Sequence, residues 1–466
     1  MMANGDPDRR YDVVVVGAGI AGLAAAWALR DRDVLVLEAD DRVGGRIRSE
    51  PRGPVWLNFG AHVFAGPDSS AGRLMSATGV EAVAVPGRLA AIALNGRIVA
   101  RGPVETFPFR LPMSLDARLA LIRAGVKLRL AVRKYAAIAA PHAGEDPAER
   151  QARMLAFLDD RPFTEFAGRL PEDVDAIFRA TLTRSSGDPE ELAAGYGIGY
   201  FHLVWNRDAG LSRNVLGGSS ALTHALAASL HGRLLTRARV TSVAHVGNAV
   251  RLRYLSDGQE HQALARAAVV ATPAYVTRAI VDGLPADTAE ALKAIPYGPY
   301  VVAGILTGER APMPWDGLYA LATPKRSFNM LFNMANVLRA PDRPRQPGGS
   351  LMVYAGAGFA RRLLDLDDSA ITARYLADLH DLYPEARGIV EEVVIQRWER
   401  GLPYPRPGRS RLQPALTRPL DPIYLAGDYL GTWYTETAVQ TAFAAAGKIR
   451  ALLDSPPTRA AGAAGG

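Results

Sequence analysis

The chain has 466 residues, of which 48% are hydrophobic and 22% charged, and its formal net charge is +7. This length allows two or three domains with large cores, and the composition is that of a globular protein. No stretch approaches the roughly 20 uncharged apolar residues of a membrane span. The first residues, MMANGDPDRRYD, lack the apolar segment of a secretory signal, so we expect a cytoplasmic protein.

Several ligand classes are disfavoured by composition. The chain has no cysteine, which excludes disulfides, thiolate metal sites and attachment of a cofactor through a cysteine. Its eight histidines show neither H-E-x-x-H nor H-x-x-x-H spacing, and we predict no metal site. No recognised nucleic-acid motif accompanies the basic charge, so we predict no nucleic-acid partner. The oligomeric state is left open.

Residues 11–49 predict a strand, a helix and a second strand. Val13–Val16 is an unbroken β-branched run, as expected of a strand buried on both faces. Ile20–Arg30 has helix composition, and Val34–Leu37 is a second apolar run that ends at Glu38. This order is that of a βαβ unit that binds a dinucleotide.

The turn between the first strand and the helix carries glycines in G-x-G-x-x-G spacing. The first allows a tight turn, the second lets the backbone approach a pyrophosphate, and the third lets helix and strand pack closely. The helix N-terminus directs free N–H groups at the phosphates, and Glu38 can accept hydrogen bonds from a ribose. The predicted cofactor-binding residues of this unit are Gly17, Gly19, Ile20, Ala21, Gly22, Glu38 and Ala39.

The loop RVGGR follows directly, at Arg42–Arg46. We predict cofactor contacts for Arg42, Gly45 and Arg46, with Arg46 paired to the phosphates. With its glycine fingerprint, its acid and its G-G-R loop, the sequence resembles the FAD-dependent amine oxidase superfamily, which includes monoamine oxidases, protoporphyrinogen oxidases and phytoene desaturases. The resemblance implies non-covalent FAD rather than NAD.

The resemblance also implies the fold, an α/β protein with a Rossmann-type FAD-binding domain and an inserted substrate domain of mixed sheet and helices. We expect residues 11–80, 214–290 and 396–454 to form the FAD-binding domain. Residues 81–213 and 291–395 would form the substrate-binding domain, and residues 455–466 a disordered tail.

A stretch at residues 55–64, VWLNFGAHVF, resembles one that runs beside the isoalloxazine ring in the family. Gly60 would let the backbone approach the flavin, next to Ala61. His62 either faces the ring or substrate as a catalytic group, or only hydrogen-bonds the backbone. Both interpretations stay open.

The next segments predict a hairpin and a long helix. Residues 90–100 predict a hairpin that turns at Asn95-Gly96. Residues 114–140 predict a helix whose apolar residues recur every three or four positions among many cations. We favour a buried apolar stripe under an arginine-rich solvated face, and contact with a membrane surface is the alternative. The predicted buried stripe consists of Leu115, Leu119, Ile122, Val126 and Leu130.

The middle of the chain predicts further helices and strands. Residues 147–210 are mostly helical in pattern, with an aromatic stretch at Tyr196–Trp205 that is either core or the wall of a substrate cavity. Residues 217–222 resemble a family helix start. Residues 234–246 predict a strand in which Val240, by resemblance, contacts adenine. A hairpin at Asp257-Gly258 leads to a buried strand that ends at Thr272 near the cofactor.

Residues 297–395 predict strands at 300–306, 327–333 and 350–355, then a helix near 369–383. Many monoamine oxidases carry a lysine in a strand like the first, but here Lys325 follows in a turn. Trp398–Tyr404 resembles a stretch of protoporphyrinogen oxidases. Their following Gly-His is replaced here by Gly408-Arg409, a departure from porphyrinogen oxidases.

The last predicted module is a strand at 423–426 followed by a helix that runs to Leu453. By resemblance, the strand places Asp428 near the ribityl chain, and Tyr434, a few residues before the helix, forms an aromatic wall before the ring as a catalytic residue. The helix start would stabilise negative charge on the reduced flavin. The predicted cofactor-binding residues here are Gly427, Asp428, Thr437, Ala438 and Val439.

The resemblance implies an FAD-dependent oxidoreductase that dehydrogenates a small, largely apolar amine or ring-containing metabolite by hydride transfer to flavin N5. Oxygen or another acceptor would reoxidise the flavin. The alternatives are a redox-neutral flavin isomerase or mutase, a desaturase of an isoprenoid-like substrate, and a nonenzymatic flavin-binding scaffold. The substrate itself cannot be identified from the sequence.

Overall fold

The structure, a computed structural model, describes residues 10–85, 91–205, 211–339, 344–432 and 434–455. Residues 1–9 lie outside the described residues. So does the predicted disordered tail, apart from Ser455.

Two large sheets, two small ones and a set of helices make up the described residues. The strands are β1 Arg10–Val16, β2 Val34–Leu37, β3 Ser49–Arg52, β4 Val55–Asn58, β5 Ala82–Ala84, β6 Ala91–Leu94, β7 Arg97–Val99, β8 Arg213–Val215, β9 Leu234–Leu235, β10 Arg239–Val246, β11 Ala249–Ser256, β12 Gln259–Val270, β13 Tyr297–Thr307, β14 Ala320–Ala322, β15 Met330–Asn333, β16 Gly349–Gly356, β17 Val390–Pro403 and β18 Ile423–Leu425. The helices are α1 Ile20–Ala28, α2 Ser70–Ala77, α3 Phe107–Arg110, α4 Leu115–Ala139, α5 Pro147–Ala156, α6 Phe163–Ala167, α7 Glu172–Leu182, α8 Ala194–Trp205, α9 Ser220–Ala228, α10 Ala274–Ile280, α11 Ala286–Lys293, α12 Gly358–Arg361, α13 Asp368–Leu382, α14 Gln413–Leu416 and α15 Tyr434–Asp454.

The first large sheet forms around the predicted strand–helix–strand unit. Its strand order is β10-β11-β12-β1-β2-β9, and β18 pairs with the end of β12. β1 lies parallel to β2, with Val13 opposite Val34, and parallel to β12, with Val16 opposite Val270. The side chains of Val13–Val16 are almost completely buried because both faces of the sheet are covered. The predicted βαβ unit is therefore confirmed.

Helices α1, α9 and α15 share one core with this sheet, in which Leu23, Leu222 and Val439 are fully buried. The parallel strands β1, β12 and β18 all end at the same edge of the sheet. In an open α/β sheet, ligands bind in the crevice beyond the carboxyl ends of parallel strands. The fold thus brings the glycine loop, Thr272 and Gly427 to the edge where a cofactor would bind.

The second large sheet has the order β17-β13-β16-β15-β14-β6-β7, and it is mixed because β14 runs parallel to β6. One face buries Ile371 and Tyr375 of α13. The other face carries Tyr300, Phe332 and Tyr354 in a separate cluster that Val63 packs against. The aromatic face of this sheet is therefore directed towards the 55–64 segment.

Helices α4 to α8 pack together around aromatic side chains, including Tyr135, Phe163 and Phe201. The aromatic stretch of residues 196–205 lies in α8, as expected for a helical region. Both predicted hairpins are also confirmed, since Asn95-Gly96 and Asp257-Gly258 have the positive φ angles of their turns. Among the described helices, none is both long and apolar enough to cross a membrane.

The predicted buried stripe of the long helix is wrong. The helix itself is confirmed, since α4 runs from Leu115 to Ala139 with Ser114 as its N-cap. The face that packs inward, however, carries Ala117, Leu128 and Tyr135. The opposite face points outward, and Leu115 is 76% exposed and Val126 58% exposed. Two sets of apolar residues recur at helical spacing in α4. The set that contains alanines is the one that packs against α7 and α8, because alanine lets the helices approach closely.

Three predicted boundaries also shift. The strand at 234–246 is split into β9 and β10 because Arg237 between them has a φ of +54°. The strand at 327–333 begins only at Met330, since the Ser327 N–H binds the Asp378 carboxylate instead of a neighbouring strand. Residue 396, the predicted domain boundary, falls inside β17, whose residues 390–403 pair with β13 of the second sheet. The division into domains stays a prediction.

Candidate cofactor and substrate site

The glycine loop after β1 has the geometry of a phosphate cradle. Gly17 has a φ of +96°, and a Cβ on Gly22 would lie 1.8 Å from the carbonyl oxygen of Gly17. A Cβ on Gly19 would meet no atom within 4 Å, so its outer side is open. Gly17 therefore serves the turn, Gly22 the packing of helix on strand, and Gly19 the approach of a ligand.

The N-terminus of α1, at Ile20 and Ala21, points from this loop towards the same open side. Its N-cap, Gly19, contributes no side-chain hydrogen bond, and no acidic residue lies in the first turn. The first N–H groups and the positive end of the helix dipole are thus left for a ligand. This arrangement fits the pyrophosphate of FAD.

Glu38 lies at the end of β2, beside the glycine loop. Its Oε2 accepts a hydrogen bond of 2.6 Å from the Ala18 N–H, and its Oε1 accepts one of 2.9 Å from the Asp40 N–H. These bonds hold the carboxylate next to the turn and next to Ala39. An acid fixed in this position fits the hydroxyl groups of a ribose.

The loop at residues 42–46 lies against the glycine loop. The Gly44 N–H donates to the Ala18 carbonyl at 2.9 Å, and a Cβ on Gly45 would lie 3.5 Å from Gly19 Cα. Arg42 donates to the Gly45 carbonyl at 2.9 Å, which closes the loop. The two loops therefore lie side by side, and contact of the 42–46 loop with a dinucleotide stays a prediction.

Arg46 binds a carboxylate of the protein, and its pairing with phosphates stays a prediction. The Arg46 guanidinium donates to both oxygens of Asp428, at 2.7 and 3.0 Å, and to the Gly401 carbonyl at 3.0 Å. The Asp428 carboxylate is only 7% exposed and requires a counterion. Burial alone would disfavour the Arg46 charge, but the adjacent carboxylate raises the pKa of Arg46 above its ordinary value.

Gly60 is required for a different contact than predicted. A Cβ there would lie 2.0 Å from the Arg46 carbonyl oxygen, so the glycine lets the 55–64 segment approach the Arg46 loop. The Ala61 N–H donates to that same carbonyl at 3.1 Å. Two cofactor-binding loops are thereby joined, and the close partner of Gly60 is protein backbone.

His62 is a buried, neutral imidazole. Its Nδ1 lies 2.9 Å from the Gly60 carbonyl, and its ring meets Phe332 edge-on with centroids 4.6 Å apart. Burial lowers the pKa of His62 to about 4, with a further lowering by the charge of Arg184. The contact of Nδ1 with the Gly60 carbonyl is the backbone hydrogen bond that one of the two interpretations expects. The other ring nitrogen, Nε2, is buried and has no hydrogen-bond partner among the described residues.

Tyr434 is the first residue of α15, not a residue ahead of it as predicted, and its φ is +43°. Burial and the neighbouring phenols of Tyr196, Tyr200 and Tyr300 raise the pKa of Tyr434 well above its ordinary value. We define the aromatic cluster by its rings, taken from α8, the second sheet and α15. The aromatic cluster consists of Tyr196, Tyr200, Tyr300, Phe332, Tyr354 and Tyr434.

The first turn of α15 continues from this cluster into the first core. Thr437, Ala438 and Val439 are buried there. The one acid of that turn, Glu436, binds the Ser70 and Ala71 N–H groups at 2.7 and 3.1 Å. Its charge therefore caps α2 and does not occupy the N-terminus of its own helix.

Three further predicted positions lie around the strand ends. Val240 is buried in β10, and Thr272 follows β12, where its hydroxyl lies 2.8 Å from that of Thr277. The Gly427 N–H donates to the Thr441 hydroxyl at 3.0 Å. The structure thus brings Thr272, Gly427 and the glycine loop to one edge of the sheet, with Val240 on an outer strand of the same sheet.

Sequence reasoning missed Arg184, which lies in the 3-10 turn Thr183–Ser185. Its guanidinium carbon lies 5.5 Å from the ring centroids of both Tyr200 and Phe332. Strand β13 contains no lysine, as the sequence already showed. Lys325 lies in a turn, where its Nζ is 2.7 Å from Asp173 Oδ1. No motif marks Arg184; only the contact between the turn and the second sheet reveals it.

Metal ligands are absent from the part of the chain that the structure describes, where no three His, Asp or Glu side chains converge.

Comparisons with known proteins support the same interpretation. The sequence profile of the family described as flavin containing amine oxidoreductase matches residues 20–450. A flavin-containing amine oxidase of Oncorhynchus mykiss is 28% identical over 286 residues, covering 56% of this chain and 50% of that protein. Protoporphyrinogen oxidase 2 of Arabidopsis thaliana is 41% identical over 70 residues, 15% of this chain and 14% of that protein. The matches thus span about half the length of these curated relatives or less.

Solved structures with the same fold cover nearly the whole chain. Putrescine oxidase bound to putrescine aligns with a TM-score of 0.74 and 21% identity, over 95% of this chain and 99% of that one. Cyclohexylamine oxidase from Brevibacterium oxydans aligns with a TM-score of 0.75 and 21% identity, over 96% and 100% of the two chains. The predicted α/β fold is thereby confirmed.

The buried state of His62 predicts a pH effect on stability. Because its pKa falls from 6.5 to about 4 on folding, the unfolded chain binds the proton more tightly. The stabilisation is complete above pH 6.5 and is lost as the pH falls towards 4. Between pH 7.5 and 4.5, wild type should lose roughly 2–3 kcal/mol more than His62→Gln in urea unfolding. The exposed His245→Gln should behave as wild type, and equal losses in all three proteins would contradict the assignment.

Proposed function

Because the chain belongs to the flavin-containing amine oxidoreductase family, we propose that it is an FAD-dependent oxidase of a small, largely apolar amine or ring-containing metabolite. FAD, the cofactor of this family, supplies the chemistry by accepting a hydride at N5 and passing the electrons to oxygen or another acceptor. The observation that carries the proposal is the aromatic cluster, which lies beside loops that fit FAD. The neighbours whose names mention putrescine and cyclohexylamine favour an amine over the other substrates.

In this proposal, the chain holds FAD along the edge of the first sheet. The glycine loop and the N-terminus of α1 bind the pyrophosphate, and Glu38 binds the ribose of the adenosine half. Val240 borders the adenine. Arg46 orients Asp428 at the ribityl chain, since its guanidinium already holds that carboxylate in place. Residues 11–80, 214–290 and 396–454 would supply these contacts.

The remaining residues act on the substrate side. Tyr434 forms the wall that places an apolar substrate against the ring system, supported by neighbouring phenols that hold it in position. His62 is a weak base at neutral pH, because a conjugate acid with a pKa of about 4 releases its proton readily. It is sufficient for a neutral amine, which needs no strong base. The N-terminus of α15, with Thr437 and Ala438, stabilises negative charge near the ring.

The main alternative is a redox-neutral isomerase or mutase, which would use the same cradle and the same helix dipole. A desaturase of an isoprenoid-like substrate would also use an apolar wall. The absence of a lysine from β13 separates this chain from many monoamine oxidases, so substrate tests should include C–C as well as C–N dehydrogenation. A cytoplasmic location stays a prediction from the sequence.

The test is reduction of the bound flavin by a substrate in the absence of oxygen. Purified protein should be yellow and should release FAD into the supernatant on acid precipitation, because no cysteine is available to attach it. Screened anaerobically against apolar amines and ring compounds, a substrate should bleach the flavin absorbance, and air should restore it. Tyr434→Ala should slow bleaching at least tenfold while retaining FAD.

Controls separate the proposal from its alternatives. If product forms only after the flavin has been reduced with dithionite, and the substrate is not oxidised overall, the protein is an isomerase and not an oxidase. Flavin that remains in the acid precipitate would contradict non-covalent binding. Loss of FAD and activity in parallel in Tyr434→Ala would assign that residue to the fold rather than to the substrate wall.

A further inference from the structure

The strongest unexplained feature of the site is the position of Arg184. The turn that carries it is pressed onto the second sheet so closely that only glycine fits beneath it. A Cβ on Gly298 would lie 1.8 Å from the Ser186 carbonyl oxygen, and one on Gly356 would lie 2.6 Å from the Thr183 carbonyl oxygen. The Tyr300 hydroxyl donates to the Arg184 carbonyl at 2.7 Å. The backbone at Arg184 is therefore fixed against the aromatic cluster.

The charge of Arg184 has no carboxylate partner among the described residues. Its Nε is buried without a hydrogen-bond partner, and the guanidinium instead lies over the rings of Tyr200 and Phe332. Two other arginines of this region differ. Arg46 is paired with Asp428, and the charge of Asp159 acts on Arg409. Arg184 as a whole is half-buried, and its hydrogen bond to the Tyr354 hydroxyl leaves its charge without a counterion. Because a cation that is partly removed from water without a counterion is costly, an external anion would stabilise it.

We propose that Arg184 binds a carboxylate of the substrate, so that the oxidised amine is one that also carries an acidic group. This inference rests on the proposed function and names the substrate class of the same site. The rings of Tyr200 and Phe332 lie beside the guanidinium, whose N–H groups can donate two hydrogen bonds to a carboxylate. A monoanion suits a single cation better than a phosphate dianion does. The acid group would be anchored on the side of the cluster next to His62.

The test compares benzoate with benzamide, its neutral isostere, as ligands of the FAD-loaded protein at pH 7.5. Binding is followed by the change in flavin absorbance and by thermal shift, so no turnover is needed. Benzoate should bind at least tenfold more tightly than benzamide. Arg184→Met should bring the two affinities within twofold of each other, and Arg184→Lys should keep a smaller preference because it retains the charge but not the fork.

The matched control is Arg362→Met, which removes an exposed arginine that lies 4.9 Å from the Phe359 ring, outside this site. It should keep the full preference for benzoate. Equal affinities in wild type, or an unchanged preference in Arg184→Met, would overturn the inference. The failure of this inference can be distinguished from the failure of the proposed oxidase. If no amine reduces the flavin but benzoate is still preferred through Arg184, the inference is supported and the proposed oxidase is rejected.

A second inference comes from the outward face of α4, where four of the five predicted stripe residues are exposed and Ile122 is half-buried. Leu119 and Leu130 are 50% and 54% exposed, and Phe109 of the adjoining α3 is 66% exposed. At 3.6 residues per turn, the five predicted stripe residues lie within an arc of about 80°. We call this arc, from Leu115 to Leu130, the outer stripe. It is about 22 Å long at 1.5 Å per residue.

Cations border the outer stripe on both sides. The helix positions of Arg118 and Arg129 place them along one edge, and those of Arg123 and Lys134 along the other. Arg133 lies in line with the stripe, one turn beyond it. Arg129 is paired with Glu105, while the other four form no ion pair among the described residues. An apolar band between two rows of cations is the arrangement of helices that lie in a membrane interface.

We infer that the outer stripe binds the surface of an anionic lipid bilayer. The charge of the stripe's borders complements acidic headgroups, while the leucines and Val126 enter the acyl boundary. A second copy of this chain is a poorer partner, because two identical stripes would bring their cations together. The contact is peripheral, and α4 lies along the surface with its opposite face in the protein core.

Sedimentation with vesicles tests this assignment. Full-length protein should bind vesicles of phosphatidylcholine with 30% phosphatidylglycerol, but not pure phosphatidylcholine. Leu119→Glu/Val126→Glu should lose at least 90% of the binding, and Arg123→Gln/Lys134→Gln should lose most of it. The matched control is Leu452→Glu, an exposed leucine on α15, which should bind as wild type. Unchanged binding by Leu119→Glu/Val126→Glu, absence of binding by wild type, or a wild-type dimer that this variant dissociates would overturn the inference.

Discussion

The ion pair between Arg46 and Asp428 is the interaction on which the arrangement of the site depends. Its two residues are 382 positions apart in the sequence, yet their hydrogen bonds of 2.7 and 3.0 Å are bidentate. A third bond, to the Gly401 carbonyl, adds the end of β17. One guanidinium therefore holds together the loop after β2, the second sheet and the segment after β18. The Asp428 carboxylate is the buried partner, and removing a counterion from a buried charge costs up to about 3–5 kcal/mol.

The contact between the Arg46 loop and the 55–64 segment brings their backbones close together. With Arg46 held by Asp428, its carbonyl is directed at the 55–64 segment, where Gly60 leaves room and Ala61 donates a hydrogen bond. His62 then lies at the aromatic face of the second sheet. The first sheet thus supplies the cofactor cradle, the second supplies the aromatic rings, and the ion pair sets the distance between them.

The sequence correctly predicted the elements whose structure is determined by residues close together in the chain. The valine run and glycine spacing of residues 13–22, the two Asx-Gly hairpins and the strand before Gly427 all have short-range causes, and the structure contains each of them. The failures involve tertiary choices. Two apolar sets recur along α4, and packing buried the one with Ala117 and Leu128. The contact of Arg46 with Asp428 is likewise a tertiary feature, because the two residues are 382 positions apart in the sequence.

Arg184 shows the limit of motif reasoning most clearly. Nothing in the letters TRSSG distinguishes it from other arginines of a basic chain. Its importance comes from glycines in β13 and β16 that let its turn contact the sheet, and from the absence of a nearby carboxylate among the described residues. Such a feature is a property of the assembled site, so only a structure could reveal it.

The most direct test of this account is a double-mutant cycle on Arg46 and Asp428, with the urea unfolding free energy and the dissociation constant of FAD measured together. Asp428→Asn should lower the unfolding free energy by about 1–3 kcal/mol and weaken FAD binding, because the partly exposed Arg46 loses its counterion. Arg46→Met/Asp428→Leu should recover stability but not FAD binding. Asp428→Asn with unchanged stability and unchanged FAD affinity would contradict the view that this ion pair organises the site.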